Sequence, residues 1–440
     1  MIKYYLFLLT LLVFFKVNSQ QLKTLTIDEA ITLALSENRN LQLADFDRKI
    51  AKKTKWETIT NYLPKLNFES SLLDNLQLNT VLLPGIMFGK PGTYIPVQFG
   101  VEYQTSWSFK AQQPILSAPL IIAAKISEQS KKIAELGYLK TENEVVASTK
   151  TFYTSALALQ KSLEIISSNI KNFEQIKEKT QAMYELGMVQ STDVDQINMN
   201  ITNLVNAKHS IQRSLELTMN MLRFNLGLDT SVTLQLTTSL EELIKEDKIL
   251  QLLSNPFSIE TNPDYQIMKT QEQIAKLSVD KEKADALPTI ASFYNYTKTG
   301  QGNKLNDLKW YPSKVLGFSL TLPIFAGTQN YTQYTKARLQ YDKAKYATET
   351  LSEQLMIQEK QLRFNLKNAL DNYYAQKSNI ELAKRVYKNI ENKYLQGTSS
   401  SLELTQANMN YLSAENNLIS ATIELINAKT NLEKLFNEKK

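Results

Sequence analysis

The sequence offers very little to covalent or acid–base chemistry. It has no cysteine, hence no thiolate nucleophile, no disulfide and no soft metal ligand. Its one histidine, His209, stands beside Lys208 in the middle of a helical stretch, where a surface imidazole is the default reading. No glycine-rich phosphate loop, serine elbow or metal-ligand spacing occurs. The prominent carboxylates lie at helix starts: Asp193 in a first turn, where it offsets the macrodipole, and Glu403 as the last member of the capping box Ser400-Ser401-Leu402-Glu403. Asp371 and Glu415 read as solvated helix faces. Neither an enzyme nor a cofactor or metal site is expected.

What recurs instead is a structural constellation. Residues 184–200 read YELGMVQSTDVDQINMN and residues 394–410 read YLQGTSSSLELTQANMN, so Tyr184, Gly187, Gln196, Asn198, Met199 and Asn200 return 210 positions later. Long apolar-periodic segments enter and leave each glycine. Leu362, Leu366, Ala369, Tyr373, Gln376, Ile380, Ala383, Tyr387, Ile390 and Tyr394 step 4-3-4-3 into the second one. Leu404, Ala407, Tyr411, Ala414, Leu418, Ala421, Leu425, Ala428, Leu432 and Leu435 step out of it in the same rhythm, the period of a coiled coil. Phe152 to Phe173 and Val194 to Leu215 repeat the steps in the first copy. The chain is an internal duplication of antiparallel helical hairpins that turn at Gly187 and Gly397. A left-handed residue serves such a reversal, which is why glycine stands there.

Residues 1–19 read as an export signal: Lys3, an apolar core from Tyr4 to Phe15, and Val17-Asn18-Ser19 before the cut. Twelve apolar residues are short for a membrane span, which takes roughly 17–25. Losing Lys3 and Lys16 lowers the net charge from +6 to +4, spread without any basic block, so nucleic acid is not an expected partner. Nor does the rest of the chain hold an apolar run long enough for a transmembrane helix, so any membrane crossing falls to strands.

Strand patterns lie between the helices. Thr26-Ile27-Asp28-Glu29 caps a helix to about Leu63, and Pro64 ends it. Leu66, Phe68 and Leu72 alternate with polar residues, residues 74–96 read as loop, and Val97, Phe99, Val101, Tyr103, Trp107 and Phe109 alternate with polar residues and Gly100. Thirteen residues tilted in a barrel cover about 30 Å, a bilayer's hydrocarbon thickness. Pro114 to Leu186 allows one helix of 73 residues, matched in length by the return helix from Ser191 to Leu226 and the opening helix stacked end to end. Residues 228–262 break the rhythm as an equatorial linker. The second repeat follows: a helix to Leu287, a strand from Phe293, a loop from Lys298 to Ser313, a strand over Leu316 to Leu322, a helix from Pro323 to Gln396 and a last helix from Ser401 to about Phe436. The expected organisation is thus 20–227, 228–262 and 263–440 after the signal. Trp107, Trp310 and Tyr311 fall near strand ends, where interfacial aromatics anchor a barrel.

Four strands per chain leave open edges that lipid does not tolerate, so copies must share a barrel. Two copies would give a filled eight-stranded barrel, whereas three give twelve strands and room for a lumen. The fold class is therefore mainly α with a small β part, a duplicated repeat of long coiled-coil helices and strand hairpins whose shared barrel continues into a long helical tube.

The chain resembles the TolC-type outer-membrane efflux proteins over nearly all of its mature length. The resemblance is carried by LTIDEAITLALSENRNLQL at the start, the junctions NYLPKLNF, DALPTIASF, QQPILSAPL and TLPIFAG, and the two Y-x-x-G tips with their Q-x-N-M-N tails. It implies a homotrimer in the cell outer membrane with a large periplasmic portion, a twelve-stranded trimeric barrel continued by a periplasmic α-barrel. Such a duct serves a tripartite efflux pump or a type I secretion system, joined to an inner-membrane transporter by a periplasmic adaptor. It further implies a latch at Tyr394, Thr192 and Asp193, with Ser399 where the family's arginine is expected. Glu403 stands at the family's pore-narrowing carboxylate, although the capping box explains it without any pore. The exposed tips Leu186-Gly187-Met188 and Gln396-Gly397-Thr398 are where an adaptor would dock. The rival reading is an exported, non-conducting coiled-coil scaffold or a periplasmic adaptor.

Overall fold

The computed structural model describes residues 22–437, so the export-signal expectation lies outside the described residues. Strand β1 (Leu22–Leu25) leads into α1 (Ile27–Glu37) and α2 (Arg39–Thr60), then β2 (Lys65–Asp74), β3 (Asn79–Pro84), β4 (Tyr94–Phe99) and β5 (Tyr103–Leu116). Helices α3 (Ala118–Glu185) and α4 (Ser191–Asn225) form the first long hairpin. The linker holds β6 (Thr233–Leu236), α5 (Leu240–Leu243) and α6 (Glu246–Ser254). Helix α7 (Pro263–Ala284), β7 (Thr289–Gly302), β8 (Lys309–Thr321), α8 (Gln329–Leu395) and α9 (Ser401–Phe436) complete the second repeat. The chain divides into a helical unit (residues 1–47, 135–267 and 349–440) and a second unit (48–134 and 268–348) that holds the main sheet, and each repeat contributes to both.

Within the helical unit the heptad seams are the core. Leu366, Leu404, Leu425 and Leu432 are fully buried, as are Phe173 and Ile197 in the first hairpin. The opening helix is not continuous: it breaks at Asn38, whose backbone is extended, into α1 and α2. The reason is a device that the duplication writes twice. Asn38 Oδ1 accepts from the N–H groups of Asn40 (2.9 Å) and Leu41 (3.1 Å), capping α2, while its Nδ2 donates to the Asn225 carbonyl at the end of α4 (2.7 Å). Asn262 caps α7 through Asp264 N (2.9 Å) and Tyr265 N (3.3 Å) and donates to the Leu435 carbonyl at the end of α9 (3.1 Å). One side chain thus satisfies the orphan groups of two helix ends that meet.

The linker is bound to the long helices by buried polar anchors. Tyr153, fully buried, donates to the Leu25 carbonyl (2.8 Å) and accepts from Thr238 N (3.3 Å), so one hydroxyl holds the chain after β1 and after β6, which pair in parallel. Arg363 of α8 donates to the carbonyls of Leu252 (3.4 Å), Leu253 and Asn255 (3.0 Å), capping the C-terminus of α6. Fork-shaped donors suit carbonyls that have no partner of their own.

In the second unit the main sheet is antiparallel, in the order β2-β5-β7-β8. Three boundaries differ from the expectation. The alternating stretch from Val97 to Phe109 is two strands, because Gly100 adopts φ +120° and ends β4, and β5 starts afresh at Tyr103. The loop-like residues 74–96 are not all loop: β3 pairs with β4 in a hairpin that the second repeat lacks. The loop expected from Lys298 to Ser313 shrinks to residues 303–308, because β7 runs to Gly302 and β8 starts at Lys309. Gly300 is needed there, since a Cβ would stand 3.0 Å from the Trp310 ring, and Pro312 is tolerated because β8 is an edge strand. At the strand-to-helix junctions the prolines precede the helices, which begin at Ala118 and Gln329 and not at Pro114 and Pro323.

Two glycines separate strain from space. Gly227, at φ +68°, has the Glu37 carbonyl oxygen 2.2 Å from where a Cβ would be, whereas nothing lies within 4 Å at Gly397, φ +72°. Gly397→Ala is expected to cost about 1 kcal/mol, the left-handed penalty alone, and Gly227→Ala about 2 kcal/mol or more. Thermal unfolding of the two variants in detergent tests this ranking.

Candidate functional site

The tips are built by one local rule, applied twice. Gly187 N–H donates to the Tyr184 carbonyl (2.9 Å) and Met188 N–H to that of Met183 (2.8 Å); Gly397 and Thr398 repeat both bonds to Tyr394 and Lys393 at 2.9 Å each. This is the Schellman closure with glycine in the left-handed position. The next helices start on capping boxes, Gln190 with Asp193 and Ser400 with Glu403. All six tip residues, Leu186, Gly187, Met188, Gln396, Gly397 and Thr398, are exposed, Leu186 to 76%. An apolar side chain held that far into water by a rigid turn is available to a partner.

Polar bonds join the two hairpins of one chain just behind the tips. Tyr394, only 2% exposed, shares a 2.7 Å hydrogen bond with Thr180. The hydroxyl's pKa is raised, first by burial, with the Asp193 charge adding to the shift. Asp193 accepts a short hydrogen bond from Ser401, and Asn200 donates to Thr405 at 2.7 Å. Thr192, by contrast, bonds within its own turn to Gln190 (3.4 Å). Tyr394 and Asp193 therefore both face the opposite hairpin of their own chain, Tyr394 through Thr180, and Thr192 does not join them. Ser399 donates to Glu403, whose pKa is lowered first by that hydroxyl and then by the Ser400 N–H, so the carboxylate stays charged on the exposed first turn. His209 is exposed, with Nδ1 3.2 Å from Gln212 Oε1.

A feature missed in the sequence explains this join: α9 carries two seams. The apolar one faces α8, as expected. A second runs through Ser401, Thr405, Asn408, Leu412, Glu415, Ile419, Thr422, Ile426, Lys429 and Glu433, also stepping 4-3-4-3, and most of it is buried. It meets the first hairpin through Ser401–Asp193, Thr405–Asn200 and a Lys150–Glu433 ion pair of 2.7 Å. Its signal was present as a 3.5-residue period in small polar residues, which a search for apolar periodicity passes over. Glu415 is consequently not a solvated face: it is 8% exposed, its Oε2 has no hydrogen-bond partner, and burial raises its pKa against the Tyr411 hydroxyl, Lys384 and Lys161.

In the sheet, the strand register sorts side chains onto two faces. Leu66, Phe68, Leu72, Trp107, Phe109, Tyr296, Trp310, Leu316, Phe318 and Leu320 share one face; Asn67, Glu69, Ser106, Ser108, Lys110, Asn295 and Ser319 share the other. The apolar face is largely open, with Leu316 and Phe318 each 72% exposed. Trp107 sits inside β5, not at its end, in edge contact with Phe109 (6.0 Å) and Tyr296 (5.5 Å). Trp310 is at the strand end as expected, whereas Tyr311 points to the polar face.

The chain thus pairs coiled-coil hairpins in one unit with a four-stranded sheet, apolar on one face and open at both edges, in the other. Residues 258–438 match the family model of the outer membrane efflux protein. The fold matches CmeC, the outer membrane channel of Campylobacter jejuni (TM-score 0.75, 16% identity, 93% of this chain and 85% of that one). It matches VceC of Vibrio cholerae (0.73, 15%, 93% and 96%) and the open state of the Neisseria gonorrhoeae MtrE channel (0.73, 16%, 93% and 88%) as closely. No curated protein matches the sequence. The family match covers the second repeat, and the fold of the outer-membrane channels extends over nearly the whole chain.

Two outcomes follow for the seams. A double-mutant cycle of Tyr394→Phe and Thr180→Val should show a coupling of about 1 kcal/mol in unfolding free energy. Burial raises the folded pKa of Glu415 above its unfolded value, so its contribution to stability is complete at low pH and is lost as pH rises through the folded pKa. Glu415→Gln should therefore raise the thermal midpoint by a few degrees at pH 8 and have no such effect near pH 4, as read by differential scanning fluorimetry.

Proposed function

We propose that three copies of this chain close one twelve-stranded barrel in the outer membrane. The assembly would be the exit duct of a tripartite efflux pump or a type I secretion system, passing small molecules or polypeptides handed on by an inner-membrane transporter. The observation that carries this is the sheet: β2 and β8 each leave one edge without a partner strand, beside an exposed apolar face. Backbone groups cannot be left unpaired in hydrocarbon, and eight strands from two copies would leave no lumen. The exposed tips are the surface for a periplasmic adaptor. Tyr394, Asp193 and Glu403 belong to the closed end, where Glu403 carboxylates from three copies would favour cations. Thr192 stays a latch candidate only toward a neighbouring copy, because within its own chain it bonds to Gln190.

The purified full chain should need detergent, run as a trimer by native mass spectrometry and add discrete conductance steps to planar bilayers. Asp193→Ala with Ser401→Ala, which removes a bond behind the tips, should raise the open fraction severalfold. A monomer that stays in aqueous buffer and never conducts would instead mark an exported coiled-coil scaffold.

A further inference from the structure

Two lysines stand on the apolar face of the sheet without an anionic partner. Lys298 of β7 places Nζ 6.0 Å from the Trp107 ring centre and 5.6 Å from that of Trp310. Lys314 of β8 lies 5.6 Å from the Tyr296 ring centre. Among the described residues neither forms a salt bridge, whereas Lys110 on the polar face is paired with Glu69. Tyr296 is opposite Lys314 and Lys298 is opposite Pro312, so the two lysines are diagonal neighbours, their Cα atoms about 7–8 Å apart. Among the described residues the one carboxylate in register on that face is Asp74, on β2 two strands away from Lys298.

Position along the strands matters as much as charge. Nearest the helix junctions the face is Leu66, Leu316, Phe318 and Leu320, followed by a row of Lys314 with Tyr296, Phe109 and Phe68. Next toward the hairpin ends comes Lys298 with Trp107, then Leu72, Thr105, Gly300 and Trp310, Lys298 being four residues from the end of β7. An ammonium in hydrocarbon is costly, and aromatic rings offset only part of that cost. Two adjacent cations at the edge of an apolar band, flanked by indoles, complement a multiply charged headgroup.

We propose that Lys298 and Lys314, flanked by Trp107 and Trp310, bind the phosphate groups of an anionic membrane lipid at the rim of the bilayer. This rests on the sheet being the membrane-spanning part. The flanking indoles supply the assay: with the third tryptophan removed by Trp56→Phe, fluorescence reports on Trp107 and Trp310. The full chain is reconstituted in phosphatidylcholine vesicles doped with brominated phosphatidic acid or, at equal fraction, brominated phosphatidylcholine. The phosphatidic acid should associate about threefold or more tightly. Lys298→Gln with Lys314→Gln should abolish that preference, Lys309→Gln on the polar face should leave it, and millimolar inorganic phosphate should not compete. Equal quenching by both lipids in a conducting native channel, or a preference that survives the double substitution, overturns the site and leaves the duct standing. Competition by inorganic phosphate overturns the lipid as ligand. Quenching by neither lipid, without conductance, overturns the membrane reading and this site with it.

Discussion

Every backbone N–H and C=O that enters a bilayer needs a partner, and this chain cannot supply them all. Its central strands β5 and β7 are paired on both sides, but β2 and β8 are edges. The same sheet exposes leucine and phenylalanine on one face and carries Glu69, Lys110 and serines on the other. Soluble sheets with open edges blunt them with charge or cover; here the flanking face invites lipid. Self-association is the remedy that needs no further polypeptide. Among the described residues no helix is long and apolar enough to cross a membrane.

The helical unit solves a different problem, that of keeping two hairpins side by side without fusing them. Within the second hairpin the contact is apolar, with Leu366, Leu425 and Leu432 fully buried. Between the hairpins polar pairs, Tyr394 with Thr180, Asp193 with Ser401 and Lys150 with Glu433, stand among apolar contacts that include Ile426. A neutral hydrogen bond contributes about 0.5–1.5 kcal/mol net and one to a charged group about 1.5–3 kcal/mol, while leucine burial adds about 1.5–3 kcal/mol per side chain. The orphaned Glu415 oxygen weakens this mixed seam. The helices themselves are anchored elsewhere, by Asn38, Asn262, Tyr153 and Arg363, each a single polar side chain that satisfies several orphan groups at once.

Much of this was legible before any coordinates. The 210-residue repeat, the glycine tips, the capping boxes at Thr26 and Ser400 and the apolar seam of α9 all follow from local rules: heptad spacing, a left-handed turn, a side chain reaching three residues ahead. The ends of α3, α4, α8 and α9 near the tips fall within a residue of their expected places. Such features depend on neighbours in sequence, so sequence determines them.

Tertiary structure alone decided the rest. Asn38 breaks a helix because α4 ends beside it, and nothing near residue 38 in the chain announces that neighbour. Glu415 is buried because a second hairpin covers a stripe whose polar composition resembles a solvated face. Tyr311 leaves the aromatic set by strand parity, which only the register fixes, and the β3–β4 hairpin hid among glycines and prolines that serve its turns. The physical reason is common to all: spacing along the chain sets which side of an element a residue occupies, but what lies across from that side is set by contacts between segments tens to hundreds of residues apart.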